Sequence, residues 1–216
     1  MINAIIFDFD GVLVESVDIK TQAFKNLFSF APNHINDIIE YHKVNTGISR
    51  FEKFRHIYSS ILHENLSDDR FRELSEKFSS LVIDAVVAAP CVPGAGRFLK
   101  RFSGSIPLYV ISATPEEELR EIIMRRQMGH FFRGIYGSPA KKADNISTLI
   151  KKEHANPKRT IYIGDAINDL NAALQAGVRF IGRIRPGVPN PFIDCEGIEK
   201  IIRDLDELSQ YIGGLL

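Results

Sequence analysis

The sequence predicts an α/β fold: a Rossmann-like, mostly parallel sheet that carries an inserted all-helical domain. Two observations lead to this prediction. After residue 93, short apolar segments typical of buried strands alternate with helical segments. One more apolar segment, at about residues 4–9, stands apart near the start of the chain, and a long stretch of helical patterning follows it.

The long helical stretch contains three apolar stripes at helical spacing. No strand is predicted between about residues 15 and 88, and Ser67, ahead of Asp68 and Asp69, predicts the start of the third helix. The stripes consist of Ala23, Phe24, Leu27 and Phe28; of Phe51, Phe54, Tyr58, Ile61 and Leu62; and of Phe71, Leu74, Phe78, Leu81, Val82 and Ala85.

The remaining strands are predicted to join the first strand in one sheet. Their positions are 108–112, 134–136, 160–163 and 178–182, with helices between them, as crossover connections require. The chain is therefore expected to be discontinuous, with an α/β core domain of residues 1–14 and 89–216 and a helical domain of residues 15–88. Hinge crossings are expected near residues 14–15 and 89–93.

Composition excludes several classes of partner. The 27 Lys and Arg residues balance the 27 Asp and Glu residues, so nothing in the composition suggests a nucleic-acid or anionic-membrane partner. The two cysteines, Cys91 and Cys195, have no metal-ligand spacing. No apolar segment is long enough to span a bilayer, and no basic stretch precedes the first apolar run. We therefore expect a cytoplasmic protein with reduced thiols and no disulfide.

Asp8 and Asp10 directly follow the first predicted strand and precede Gly11. Asp8 and Asp10 are two residues apart, so on a strand their side chains point to the same face, and Gly11 permits the chain to bend directly after them. Open α/β sheets bind ligands at the carboxyl ends of their strands. A solvated strand end is the competing structural interpretation.

A second acidic segment, residues 164–169, follows the strand at 160–163. Asp165 and Asp169 share a face if a helix begins there, and they lie on the same side of a parallel sheet as Asp8 and Asp10. Alone, these acids are equally typical of a helix start stabilised by the helix dipole. Together the four carboxylates predict a hard cation, Mg²⁺, which takes oxygen ligands.

Polar residues also follow the strand at 108–112. Thr114 and Glu117 match a capping box with Pro115 in the first helical position, which assigns Thr114 a structural role. Ser112 lies earlier, and its hydroxyl, with the nearby backbone N–H of Ala113, suits a phosphate oxygen.

Two lysines, Lys141 and Lys142, open the helix that ends near Lys151 and Lys152. A lysine at a helix N-terminus opposes the helix dipole, so this position is better explained if the side chain faces anions. A solvated face accounts equally well for one of the two, and Lys142 is the one we expect to be functional.

These segments resemble the four motifs of the haloacid dehalogenase-like hydrolase superfamily. Residues 8–13 are similar to the first motif, Ser112 to the second, Lys142 to the third, and residues 164–169 to the fourth. The helical insert is similar to the cap of the phosphoglycolate phosphatase and β-phosphoglucomutase branch.

The resemblance implies a Mg²⁺-dependent phosphatase for a small phosphate monoester, with Asp8 as the nucleophile that forms an aspartyl-phosphate. It implies that Asp10 is the acid and then the base, and that Asp8, the Asp10 carbonyl and Asp165 hold the metal. Asp169 would complete the metal shell, directly or through water, or orient Lys142. Lys142 and Ser112 would hold the phosphoryl group.

The cap is expected to choose the leaving group and to close over the site. Residues 45–50 form a polar break between cap helices, and Gly47, Arg50 and Lys53 are candidates for binding an anionic substrate. A solvated helix start with Ser49 as N-cap is the equal alternative.

Four alternatives remain. A sugar-phosphate phosphomutase would share every core residue. A dehalogenase typically lacks the second aspartate of the first motif, so Asp10 argues against it. A non-catalytic binding protein is disfavoured because every core residue is present. A phosphonatase needs a cap lysine for a Schiff base, and only Lys20 and Lys25 are candidates. We expect a monomer whose partner is a small phosphorylated metabolite.

Overall fold

The computed structural model describes residues 2–216 and contains a six-stranded, fully parallel sheet. The strand order is β3-β2-β1-β4-β5-β6. The strands are β1 (Ala4–Phe7), β2 (Leu108–Pro115), β3 (Gly134–Ser138), β4 (Thr160–Gly164), β5 (Arg179–Arg183) and β6 (Ile198–Ile202). This confirms the predicted α/β class, and β6 is a strand that the sequence prediction missed.

Nine α-helices are present in the described chain. Four lie between β1 and β2, as the helical patterning predicts: α1 (Val17–Leu27), α2 (Ile35–Val44), α3 (Arg50–His56) and α4 (Asp68–Ala88). The other five are α5 (Ala95–Phe102), α6 (Glu116–Arg125), α7 (Lys142–Lys152), α8 (Ile167–Ala176) and α9 (Leu205–Gly213). A π-helical turn, Ile57–Leu62, extends α3, and Ser67 caps α4 by accepting a hydrogen bond from the N–H of Arg70.

The sheet is buried on both faces, which explains why its central strands read as continuous apolar runs rather than alternating ones. All four residues of β1 are buried. Apolar side chains of α5, α6 and α9 pack in the cluster that contains Ile5 and Phe7. Those of α7 and α8 pack on the other face with Ile6, Tyr109 and Tyr162.

The helices between β1 and β2 surround an aromatic cluster. Phe24 of α1 lies 5.0 Å from Phe78 of α4 and 5.8 Å from Phe54 of α3, measured between ring centres. These residues are fully buried or nearly so, and they belong to the same apolar cluster as one face of the sheet. The three predicted stripes therefore meet in one core, and the assignment of residues 15–88 to a separate domain stays a prediction.

The two crossings between the sheet and this helical region run side by side. Val14 and Cys91 form an antiparallel bridge, the N–H of Glu15 donates to the carbonyl of Pro90 at 3.0 Å, and the N–H of Val92 donates to that of Leu13 at 3.0 Å. The chain thus leaves the sheet and returns to it at neighbouring points.

No helix in residues 2–216 is both long and apolar enough to cross a membrane. Cys91 and Cys195 are both free thiols.

Candidate active site

The site lies where the strand order changes direction, at the carboxyl end of β1. Phe7 pairs with Val110 of β2 on one side and with Ile163 of β4 on the other. Because the strands are parallel and in this register, the residues that follow each strand reach the same edge of the sheet. This edge carries Asp8, Ser112 and Asp165 together.

Asp8 is buried and held from two directions. Its Oδ1 accepts a hydrogen bond from the N–H of Phe9 at 2.7 Å, and its Oδ2 accepts one from Lys142 Nζ at 3.0 Å. Burial, together with the neighbouring carboxylates of Asp169 and Asp10, raises the pKa of Asp8 to about 7 against the opposing charge of Lys142. A cation bound here would restore the carboxylate form.

Lys142, and not Lys141, lies in the site. Lys142 is buried, and its Nζ lies 2.6 Å from Asp169 Oδ1 as well as 3.0 Å from Asp8. Burial lowers the pKa of Lys142, but the charges of Asp169 and Asp8 outweigh it and raise that pKa above its ordinary value. Lys141, directly ahead of α7, is exposed. These carboxylates account for a lysine at a helix N-terminus.

Asp169 is fully buried behind Lys142, with every oxygen hydrogen-bonded. Oδ1 accepts bonds from Lys142 and from Tyr162 Oη, and Oδ2 accepts the N–H groups of Asp165 and Ala166 at 3.2 and 3.1 Å. Asp169 thereby fixes both the lysine and the loop that begins α8.

Carboxylate oxygens of Asp8, Asp165 and Asp169 all lie within 4.8 Å of one another. Burial and the charges of Asp169 and Asp8 raise the pKa of Asp165 well above its usual range. Gly11, at φ +73°, makes room for it, because a Cβ there would lie 2.1 Å from Asp165 Oδ2. An all-oxygen, negatively charged, buried donor set fits a hard divalent cation.

Asp10 is bound by three donors. Ser16 Oγ donates to Oδ1 at 2.6 Å, Thr114 Oγ1 donates to Oδ2 at 3.1 Å, and Lys20 forms an ion pair with Oδ2. Burial opposes the charge of Lys20 and these hydrogen bonds, but the net effect lowers the pKa of Asp10 below its ordinary value. The resting form of Asp10 is therefore the carboxylate.

The capping-box prediction for Thr114 and Glu117 is wrong. A β-bulge between Ile111 and Pro115 lets β2 continue to Pro115, so α6 begins at Glu116, one residue too late for Thr114 to be its N-cap. The Thr114 hydroxyl instead contacts Asp10 and accepts a hydrogen bond from Lys20 at 2.7 Å. Its N–H donates to Ser112 Oγ at 3.2 Å.

A cavity of about 50 Å³ lies between this edge of the sheet and the helices α1–α4. It brings together most of the predicted site residues, namely Asp8, Asp10, Ser112, Ala113, Lys142, Asp165, Arg50 and Lys53. Gly47 lines a neighbouring groove instead, where a Cβ would lie 2.8 Å from that of Asn168. Gly47 therefore permits close contact between the helical region and the loop after β4.

Arg50 joins the two sides of the cavity. Its guanidinium forms an ion pair with Glu118 of α6 at 2.8 Å and donates to Ser79 Oγ of α4 at 2.8 Å. Ser79 in turn donates to Glu118 at 2.7 Å. Ser49 caps α3 by accepting the N–H of Phe51 at 3.1 Å, as the structural alternative predicts, but this helix start is buried and not solvated.

Among the polar side chains that line the cavity, Lys20, Thr114, Glu118 and His42 were not predicted to bind substrate or act in catalysis. Lys20 had been considered only as a Schiff-base lysine, although it lies one helical turn before Phe24 and therefore on the inward face of α1. Lys25, the other such candidate, is exposed, and Lys53 is the buried lysine of the helical region.

Comparisons with known proteins agree with this geometry. The sequence profile described as "Haloacid dehalogenase-like hydrolase" matches residues 5–183. A phosphoglycolate phosphatase of Pseudomonas putida is 27% identical over 94% of this chain and 77% of its own length. Protein CbbY of Cereibacter sphaeroides is 26% identical over 99% of this chain and 96% of its own.

Solved structures share the fold. A hydrolase of Pseudomonas syringae superposes with a TM-score of 0.78 at 20% identity and covers 96% of this chain and 98% of its own. A variant of CbbY from Rhodobacter sphaeroides, in complex with xylulose-(1,5)bisphosphate, gives a TM-score of 0.75 at 20% identity and covers 96% of each chain. The family and the relatives bear out the prediction of a phosphatase. The chain belongs to the haloacid dehalogenase-like hydrolase family.

Proposed function

We propose that the protein is a Mg²⁺-dependent phosphatase that hydrolyses a small phosphate monoester through an aspartyl-phosphate on Asp8. One observation carries the proposal: a buried carboxylate at the end of β1 lies 3.0 Å from a buried lysine, and two further carboxylates lie beside it. Phosphoryl transfer needs a nucleophile, a cationic side chain that contacts the phosphoryl oxygens, and residues that hold a metal ion.

In the first step, an oxygen of Asp8 attacks phosphorus and the bond from phosphorus to the ester oxygen breaks. The departing alcohol takes a proton from Asp10. In the second step, water attacks phosphorus, Asp10 accepts its proton, and the bond from phosphorus to Asp8 breaks to release inorganic phosphate. Lys142, the Ser112 hydroxyl and the Ala113 N–H hold the phosphoryl oxygens through both steps.

Asp10 changes protonation state between these steps. Its lowered pKa keeps it ionised in the resting site, which is the form that activates water. It must hold a proton when the alcohol leaves, and the negative charge of a bound phosphoryl group favours that protonation. Lys20, Ser16 and Thr114 fix the carboxylate in one orientation for both roles.

We assign the metal ligands to Asp8, the Asp10 carbonyl and Asp165. When bound, Mg²⁺ neutralises charge on the phosphoryl oxygens and on the attacking carboxylate. The oxygens of Asp169 already accept four hydrogen bonds. We therefore assign Asp169 to positioning Lys142 and the loop, with contact to the metal through water.

The cap side of the cavity is proposed to select the alcohol, through Arg50 and Lys53 and through the closely packed loop at Gly47. The similarity to a phosphoglycolate phosphatase and to CbbY bound to a bisphosphate supports a small phosphorylated metabolite. A cytoplasmic location and a monomeric state accompany this proposal as predictions.

The first experiment measures release of phosphate from an aryl phosphate, with Mg²⁺ and then with excess EDTA. Turnover is expected only for the wild type with metal. Asp8→Asn should lower kcat by at least about 10³-fold because a carboxamide is a poor nucleophile. Asp37→Asn, at an exposed position of α2, is the matched control and should retain wild-type activity.

Equal turnover by Asp8→Asn and the wild type would remove the nucleophile assignment. Turnover that survives EDTA would remove the metal assignment. Failure of the wild type on every ester, combined with phosphate exchange between sugar phosphates, would favour the phosphomutase.

A further inference from the structure

Four cationic side chains line the cavity, and three of them have a carboxylate partner. Lys20 pairs with Asp10, Arg50 with Glu118 and Lys142 with Asp8. Lys53 of α3 has no such partner anywhere in residues 2–216, although its side chain is only 2% exposed. A buried ammonium without a counter-ion is unfavourable unless a ligand supplies one.

Lys53 is held by His42 of α2. Its Nζ lies 3.0 Å from His42 Nδ1 and 3.4 Å from the His42 carbonyl oxygen, against the ring of Phe24. Burial and the charges of Lys53 and Lys20 lower the pKa of His42 to about 2, so the imidazole is neutral. The histidine therefore orients Lys53 without neutralising it.

The hydrogen-bond network assigns the tautomer of His42. Thr21 Oγ1 donates to the carbonyl of Val17 at 3.0 Å, so it accepts from His42 Nε2–H at 3.2 Å, which leaves Nδ1 as an acceptor for Lys53. An ammonium has three N–H donors. His42 accounts for two of them, and the third has no acceptor among residues 2–216.

We propose that Lys53, backed by neutral His42, binds a second anionic group of the substrate, an oxyanion carried by the alcohol that leaves. The inference rests on the proposed phosphatase function and narrows its substrate to phosphate esters of a hydroxy acid or small bisphosphates. Arg50 is the weaker candidate, because Glu118 and Ser79 already accept from its two terminal nitrogens and only its Nε lacks a partner among residues 2–216. Lys53 lines the same cavity as Asp8 and Lys142, so one small molecule can place its ester phosphate and its second anionic group there.

Proton uptake is expected when such a substrate binds. Burial, with the charges of Lys20 of α1 and Lys142 of α7, lowers the pKa of Lys53 to about 7, and Asp10 opposes them. His42 of α2 is neutral, and Arg50 and Glu118 neutralise each other. An anion beside Lys53 raises its pKa, so at pH 7.5 the complex holds more protons than the free protein.

Kinetics test the subsite with two esters that differ in the second charge, 2-phosphoglycolate and phenyl phosphate. Lys53→Met keeps the side-chain length and removes the charge. It should raise KM for 2-phosphoglycolate by about 10- to 100-fold, as loss of a charged hydrogen bond requires, and lower the ratio of kcat/KM for 2-phosphoglycolate to kcat/KM for phenyl phosphate by a similar factor. A small bisphosphate in a parallel assay shows whether carboxylate or phosphate is preferred.

Two further variants sharpen the result. Lys53→Arg keeps the positive charge and should retain turnover of 2-phosphoglycolate, whereas Lys25→Met, at an exposed position of α1, should behave as the wild type. Equal losses on both esters would overturn the proposal. So would complete inactivity of Lys53→Arg together with borohydride inactivation in the presence of an aldehyde substrate, since these results indicate an imine at Lys53.

A titration that needs no turnover separates this inference from the proposed function. Binding of 2-phosphoglycolate to Asp8→Asn with Mg²⁺ is measured calorimetrically in two buffers of different ionisation enthalpy. Binding about tenfold tighter than phenyl phosphate, with more proton uptake than phenyl phosphate causes, supports the subsite if Lys53→Met abolishes that excess uptake. Equal affinity for both esters with and without Lys53 overturns it, even where the wild type proves to be an active phosphatase.

Discussion

The protonation state and the orientation of Asp10 depend on its neighbours in space more than on its position in the sequence. Thr114 and Lys20 come from β2 and α1, far apart along the chain, yet both contact the same carboxylate oxygen. Their hydrogen bonds keep Asp10 ionised and oriented. At the scale of single residues, the proposed chemistry therefore depends on side chains outside the acidic motif itself.

Thr114→Val tests this dependence because it removes the hydroxyl and keeps the shape of the side chain. We expect kcat/KM to fall about tenfold, the equivalent of one charged hydrogen bond. The lost bond lowers the pKa of Asp10 in the wild type, so the variant has a higher pKa. Because Asp10 must be ionised to activate water in the second step, the acidic limb of the pH profile of kcat moves to higher pH. Steady-state rates from pH 4 to 9 measure both effects.

The matched control is Thr114→Ser, which keeps the hydroxyl and should keep the wild-type profile. An unchanged acidic limb in the valine variant would show that Thr114 does not act on Asp10.

At the scale of elements, the strand ends bring acidic side chains to one edge of the sheet. The turns that follow the strands leave space for those side chains. Gly11 shows the second role: it adopts φ +73°, and its missing side chain leaves space for Asp165 from the end of β4. The two acidic loops fit together only through this glycine. The acidic segments after β1 and β4, which the sequence predicts separately, thus form one structural unit.

Gly11→Ala is expected to destabilise the protein by at least about 1–2 kcal/mol, the cost of a left-handed conformation for alanine. Overlap with Asp165 at 2.1 Å adds to this cost and displaces a proposed metal ligand. Stabilisation by Mg²⁺ should therefore shrink as well. Urea unfolding with and without Mg²⁺ measures both quantities.

Gly96→Ala is the control, since a Cβ at this exposed position of α5 meets nothing within 4 Å. Alanine should stabilise the helix there by about 0.5–1 kcal/mol relative to glycine. A Gly11→Ala variant as stable as Gly96→Ala would contradict the argument.

The sequence predicted the regular elements well where the pattern is local. The central strands are buried apolar runs, and the helix stripes have clear spacing, so both were found. β6 was missed because Glu199 and Lys200 interrupt its apolar residues, as suits a short edge strand. Lys20 and Thr114 were missed as site residues because their contacts to Asp10 exist only after the chain has folded.

At the scale of the whole molecule, the Arg50–Glu118 pair connects the helical region to the α/β core across the cavity. Both side chains are nearly buried, at 8% and 6% exposure. A buried ion pair costs much to break but little to replace by apolar groups. The pair therefore specifies one arrangement of the two regions.

Glu118→Gln leaves the Arg50 charge buried without a partner and should destabilise the protein by about 3 kcal/mol or more. The double variant Arg50→Met, Glu118→Met should recover most of that loss. Urea unfolding of both variants measures the coupling. The exposed pair of Arg72 and Asp69 within α4 is the comparison, and Arg72→Met should unfold as the wild type does. Equal stability of Glu118→Gln and Arg72→Met would show that the Arg50–Glu118 pair does not join the two regions.

The adjacent crossings at Val14 and Cys91 have a consequence for how such proteins diversify. An insertion whose two ends lie side by side can be lengthened, shortened or exchanged without moving any strand of the sheet. The proposed recognition of the alcohol can therefore change while the sheet and its acidic loops stay in place. A transplanted helical insert would need to rejoin the chain at one point on the sheet's edge and to supply the contact that Lys20 makes with Asp10.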